Sequence, residues 1–321
     1  MSWSRRSVSW VFSLSLVACS GDDGAADPST TGTDPDTSAG TDPSATSSGG
    51  GSTDGSSSGE PTTAGESSTG DAPITIEPGA VCALGERIGL VEIWSGGGVG
   101  SVSGTIYDKA DPWIGPAELE NASCAFHRFS TTSCGTCEGD EVCSFDGECV
   151  APRLAHTDAV LDVTAAGETV SITADPITGM LYGDVDGDAD LVLRLRYGDV
   201  DVELPAVAYA PAPEGLVVVG EGDAMAPESV DASWTPRDDG SRVRTVIPIN
   251  HHAAGPTFTA CDVPTNAGNL HADAGMLVPL ATITGLEFQG LDVSHTAAVH
   301  LDAGCIEFRI GGQLPGSVTW P

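Results

Sequence analysis

Four cysteines and five carboxylates fall within sixteen residues in CGTCEGDEVCSFDGEC, Cys134 to Cys149. Three chemistries fit those side chains. Four thiolates can hold a tetrahedral zinc ion. The close pair Cys134 and Cys137 can act as a redox dithiol. Or the four can pair as two disulfides, with Gly135, Gly139 and Asp146-Gly147 supplying the tight turns of a small knot. The redox compartment decides among these, because thiols stay reduced in the cytosol and oxidise outside it. A second set of candidates is acidic. In DVDGDADL, Asp184, Asp186, Asp188 and Asp190 alternate around Gly187, a pattern that can aim several oxygens at one hard cation such as calcium. Histidines form the third set: His251 and His252 are adjacent, while His300 with Asp302 and His271 with Asp273 have the spacing that shares a strand face, as a metal or acid/base pair would need. No HExxH or GxSxG motif accompanies them.

The compartment is written in the first nineteen residues. MSWSRRSVSWVFSLSLVACS carries a positive region at Arg5 and Arg6, then a mostly apolar stretch from Val8 to Val17. That stretch is too short to span a hydrocarbon core of roughly 30 Å, which takes about 20 apolar residues, so it reads as a removable leader. Its end, Leu16-Val17-Ala18-Cys19, resembles the lipobox of bacterial lipoproteins. The resemblance implies a signal peptide over residues 1–18, cleavage before Cys19, acylation of the Cys19 thiol, and an anchor in the lipid bilayer. Ser20 at the next position implies the outer membrane, facing the periplasm or the cell exterior.

Residues 19–73 then collapse almost entirely to Ser, Thr, Gly, Asp, Ala and Pro. Such a segment lacks the apolar area to offset an ordering cost of roughly 1 to 2 kcal/mol per residue, and it reads as a disordered linker. The formal charge of the whole chain is −34, with Lys109 the only lysine. Nucleic acid and anionic lipid surfaces are therefore poor partners, and an unidentified extracellular or periplasmic partner is the one implied.

Strand periodicity recurs beyond the linker. Val102 and Ile106 oppose Ser101, Ser103 and Thr105; Val170, Ile172 and Ala174 share a face; Leu191, Leu193 and Leu195 oppose Arg194 and Arg196; Val200, Val202 and Leu204 oppose Asp201 and Glu203. Further alternating runs lie at Arg242–Ile249, Leu291–Ser294, Ala297–Asp302 and Cys305–Ile310. Only Met276–Ile283 reads as a short turn of helix, after Pro279. Many short strands predict an all-β, antiparallel β-sandwich fold, as one large or two Ig-like sandwiches with a small disulfide-rich insert. The boundaries read from the sequence are a first β segment at 74–123, a Cys-rich knot at 124–151 and a β-sandwich at 152–321, with a soft division near Pro152. A short repeat, Tyr182–Asp186 and Tyr197–Asp201, suggests two strands entered through similar Gly-Asp turns.

Eight cysteines remain once Cys19 is set aside: Cys82, Cys124, Cys134, Cys137, Cys143, Cys149, Cys261 and Cys305. An even count outside the cytoplasm makes disulfides the default. Parity along TFTAC and CIEFRI places Cys261 and Cys305 each with the polar set of its strand, which predicts a cross-strand bridge between them on an outer face and leaves Cys82 to Cys124. The Asp184–Asp190 run resembles the calcium loops of EF-hands and integrin-type propellers only in part, since the sixth and twelfth positions counted from Asp184 are Ala189 and Leu195. Across the folded part, IGLVEIW, GTIYD, the knot ending in DGECV, and Trp234-Thr235-Pro236 resemble the tethered lipoproteins that some Gram-negative bacteria carry in large numbers. The resulting expectation is a membrane-anchored binding, adhesion or structural module without catalysis and without a cofactor. Its rival is a secreted hydrolase or a calcium-assisted carbohydrate-binding domain.

Overall fold

The computed structural model describes residues 73–76, 78–96, 98–129, 134–249, 257–281, 285–314 and 316–321. All belong to one compact unit, Ser67–Pro321. The leader, Cys19, the linker up to residue 72, and His251 and His252 lie outside the described residues.

In chain order the strands are β1 (Ile74–Thr75), β2 (Arg87–Gly96), β3 (Val99–Ile106), β4 (Leu119–Glu120), β5 (Cys124–His127), β6 (Val142–Cys143), β7 (Cys149–Val150), β8 (Val160–Ala165), β9 (Glu168–Thr173) and β10 (Met180–Asp186). They continue as β11 (Leu191–Tyr197), β12 (Val200–Val207), β13 (Val217–Asp223), β14 (Ala226–Ser233), β15 (Arg242–Pro248), β16 (Phe258–Pro264), β17 (Asn269–Asp273), β18 (Leu291–Leu301) and β19 (Gly304–Leu314). One short helix, α1 (Ala274–Leu277), precedes a 3-10 turn at Val278–Leu280.

A nine-stranded sheet, ordered β10-β3-β2-β19-β18-β15-β16-β5-β4, runs through the whole unit. One half of it packs against a five-stranded sheet, β1-β12-β11-β8-β9, and the other half against a three-stranded sheet, β13-β14-β17. Val91, Ile93, Val102, Ile106 and Phe308 of the large sheet meet Leu161, Leu191, Leu193, Leu195, Val202 and Leu204 in the first core. Phe126, Val243, Ile247, Val263 and Val293 meet Val230, Ala232, Leu270, Ala272 and the α1 residues Met276 and Leu277 in the second. Burying each such aliphatic side chain contributes about 1.5–3 kcal/mol. The expected all-β sandwich architecture is present, as two sandwiches that share one sheet. Pairing is antiparallel except at β19 with β2 and at β1 with β12.

Alternation does the sorting. On β11 the three leucines are buried while Arg194 and Arg196 stay outside and pair with Asp201 and Asp162. Val170 departs from the pattern at 43% exposure, because β9 is an edge strand. The repeat is not two similar turns. Gly198 makes the β11–β12 turn with φ 49°, whereas Gly183 lies inside β10, where a Cβ would come within 2.9 Å of Ile172 Cδ1. The helical turn starts earlier than Pro279, since Asp273 caps it by accepting from the Gly275 N–H at 3.0 Å.

The division near Pro152 does not separate domains. β2 and β3, from the expected first segment, pair with β19 and β10 of the expected second domain. Tyr107 bridges Ala155, so the chain between them leaves and returns at one point. Along the way it adds β4 and β5 to the far edge of the large sheet and then forms the knot. Cys124 consequently belongs to β5 and not to the knot. Within the knot, the Cys134–Cys143 and Cys137–Cys149 bridges tie the preceding segment to β6 and β7, where Cys143 and Cys149 stand opposite each other.

The remaining pairs are Cys82–Cys305 and Cys124–Cys261, which overturns the expected Cys261–Cys305 bridge. Residues alternate within each strand as expected, but the covered face differs between the two. On β16 the Thr259 and Cys261 side faces the second core, where Cys261 sits directly opposite Cys124 on β5, and Phe258 and Ala260 face out. On β19 the Ile306, Phe308 and Ile310 side faces the first core, so Cys305 lies on the opposite face of the large sheet from Cys261.

Candidate functional site

The outer face of the large sheet carries a cleft of about 310 Å³. Its apolar part is made by Val246 of β15, Phe258 and Ala260 of β16, Leu84 and Ile114. Its floor is ionic: Arg87 from β2, Arg244 from β15, Asp262 from β16, Asp292 from β18, and Glu307 and Arg309 from β19. Strand alternation places them, because each occupies the parity opposite to a core residue such as Val243, Val263, Val293 or Phe308.

Two devices cover this face. The Cys82–Cys305 bridge pins the segment entering β2, and the Cys82 N–H donates to Glu307 Oε2 at 3.4 Å. The knot braces the loop that carries Ile114: the Phe145 N–H donates to the Pro112 carbonyl at 2.7 Å, and the Phe145 ring fills the space where a Cβ on Gly115 would stand, 2.4 Å away.

Glu307, 1% exposed, is the centre of the floor. It accepts from Arg244 Nη1 and, at 2.9 Å, from Arg309 Nε. Arg309 Nη1 also donates to Glu92 at 3.1 Å, and Arg244 Nη2 and Arg242 Nε donate to the two oxygens of Asp262. Burial by itself raises the Glu307 carboxyl, but Arg309 and Arg244 outweigh it and hold the group at about 2. Asp292 goes the other way. Burial, helped by Glu92, pushes it up to about 6 against the pull of Arg309 and Arg244. Burial, with Arg309 beside it, lowers Arg87. A floor of this kind is rigid and polar and lies beside an apolar wall, the usual build of a small-molecule site.

The residues singled out from the sequence lie elsewhere. Asp184 and Asp186 sit on β10, and Asp188 and Asp190 on the turn that follows, where Asp186 Oδ1 accepts from the Asp188 N–H at 2.9 Å. Among the described residues these four are not gathered as metal ligands; the group with suitable spacing is Cys134, Cys137 and Cys149, whose sulfurs are bound in disulfides. His271 Nδ1 pairs with Asp231 across the β14–β17 ladder at 2.7 Å rather than with Asp273. His300 lies 3.8 Å from Cys305 Sγ and does not line the cleft. The floor itself was missed because Arg242/Arg244 and Glu307/Arg309 read as solvated strand faces. The available sign was scarcity: only nine arginines follow the leader, and four of them, Arg87, Arg242, Arg244 and Arg309, meet here.

No protein-family model matches the sequence, and no curated protein matches it. Among solved structures the chain is similar to a crystallised run of titin domains, at 10% identity over 70% of this chain and 75% of that one, with a TM-score of 0.14, a likeness too slight to carry an argument.

Proposed function

We propose that this chain is an extracytoplasmic lipoprotein, anchored in the bacterial outer membrane through acylated Cys19, that binds a small ligand in the outer-face cleft. The cleft carries the reading: an apolar wall stands beside a floor of charges already fixed by one another, so the site is preorganised before any ligand arrives. Binding rather than catalysis is supported by the ion pairing of Glu307 and Asp262 with Arg244 and Arg309, which holds these two carboxylates as anions engaged with fixed donors. Anchoring rests on Leu16-Val17-Ala18-Cys19 behind Arg5 and Arg6, and the linker would carry the folded part on the order of 40 Å from the bilayer.

Metabolic labelling with an alkynyl fatty acid tests the anchor. The wild-type chain should incorporate label and fractionate with the outer membrane, and C19A should lose both. Equal labelling of C19A would end the lipoprotein reading. Filling the cleft with A260W should abolish binding of any ligand found by thermal shift.

A further inference from the structure

Two charges in the cleft lack a hydrogen-bonding partner among the described residues, and they are of opposite sign. Glu307, Arg244, Arg309 and Asp262 form ion pairs with one another and with Glu92 and Arg242, and Arg244 keeps only its buried Nε without an acceptor. Arg87 makes no hydrogen bond among the described residues; its nearest carboxylate oxygen, Glu307 Oε2, is 3.7 Å away, and its Nη1 is buried and unsatisfied. Asp292 on β18 has no hydrogen bond or ion pair among the described residues. No ion pair joins the two among the described residues. Both line one cleft without pairing with each other, and Leu84, Ile114, Val246, Phe258 and Ala260 line the same space.

We infer that the cleft takes a small zwitterion with an apolar body, its carboxylate on the Arg87 guanidinium and its ammonium on the Asp292 carboxylate. This rests on the cleft being the ligand site. A guanidinium with free donors matches a carboxylate by two parallel N–H···O bonds, and an open carboxylate matches an ammonium. A ligand with only one charge leaves the other station desolvated and unpaired, which is the costly outcome. The volume, near the lower bound of ordinary ligand sites, suits an apolar amino acid or a short apolar peptide with free termini.

Calorimetric titration of the full-length protein with leucine, leucyl-leucine and leucyl-leucyl-leucine separates the two sources by length. At least one should bind, and N-acetylation and C-amidation should each weaken it by about tenfold or more. R87Q, folded by near-ultraviolet circular dichroism, should erase the penalty for amidation alone, and D292N the penalty for acetylation alone. Blocked and free ligands binding equally, penalties unchanged in both variants, or no binding by any of the three would overturn the inference. Octanoate and octylamine keep the two readings apart. If either binds wild type but not A260W while the zwitterions do not bind, the cleft stands and the zwitterion falls. If the zwitterions bind A260W as they bind wild type, the cleft itself is the wrong place.

Discussion

Glu307 and Asp292 sit in one cleft with opposite relations to stability. Removing the Glu307 charge leaves Arg244 and Arg309 buried without their shared acceptor, so E307Q should lose about 3–5 kcal/mol at pH 7 in urea denaturation. Because the folded-state pKa of Glu307 is depressed, that advantage is present above the ordinary carboxylate range and fades as pH falls toward about 2. Asp292 is raised to about 6 in the folded state, so its contribution is lost as pH climbs from about 4 through 6. D292N should therefore match wild type at pH 4 and exceed it by about 1–3 kcal/mol at pH 8. A melting series in which D292N gains nothing at high pH would show that Asp292 has a partner in solution. The sequence marked Glu307 and Arg309 as sharing a polar face, and that was correct. It could not show that the face is roofed, because the roof comes from Cys82 and Leu84, more than two hundred residues away.

At the scale of elements, the four disulfides divide into long and short closures. Cys82–Cys305 spans 223 residues and Cys124–Cys261 spans 137, against 9 and 12 in the knot. Constraint of the unfolded chain grows with loop length, so C82A/C305A should cost about 2–5 kcal/mol and C134A/C143A less. A larger loss for the knot pair, measured by the same denaturation, would reverse the order argued here. The strand positions were legible because the buried leucines of β11 and the valines of β12 alternate cleanly. The pairing of Cys261 was not, because Thr259 and Cys261 are a buried face written in polar letters, while Phe258 and Ala260 spend their apolar surface on the cleft.

For the whole molecule, sharing one sheet ties the two cores together: β18 contributes Leu291 and Val293 to one and Ala297 and Val299 to the other. Heat or denaturant should thus unfold residues 73–321 in one cooperative step, with tryptophan fluorescence and far-ultraviolet circular dichroism giving coincident curves. Two resolved transitions would mean that the strand does not couple the cores. The parallel pairing of β2 with β19 adds a constraint in time. The first long strand of the sheet has its permanent neighbour at the far end of the described chain, with almost every other strand formed between them. Such pairings carry high contact order and form slowly. A chain synthesised from its N-terminus can settle local hairpins as they emerge, but the centre of its main sheet stays unfilled until the last strand is made. The topology thus delays completion of the cleft floor, which needs Glu307 and Arg309, until the last strand is free to join the sheet.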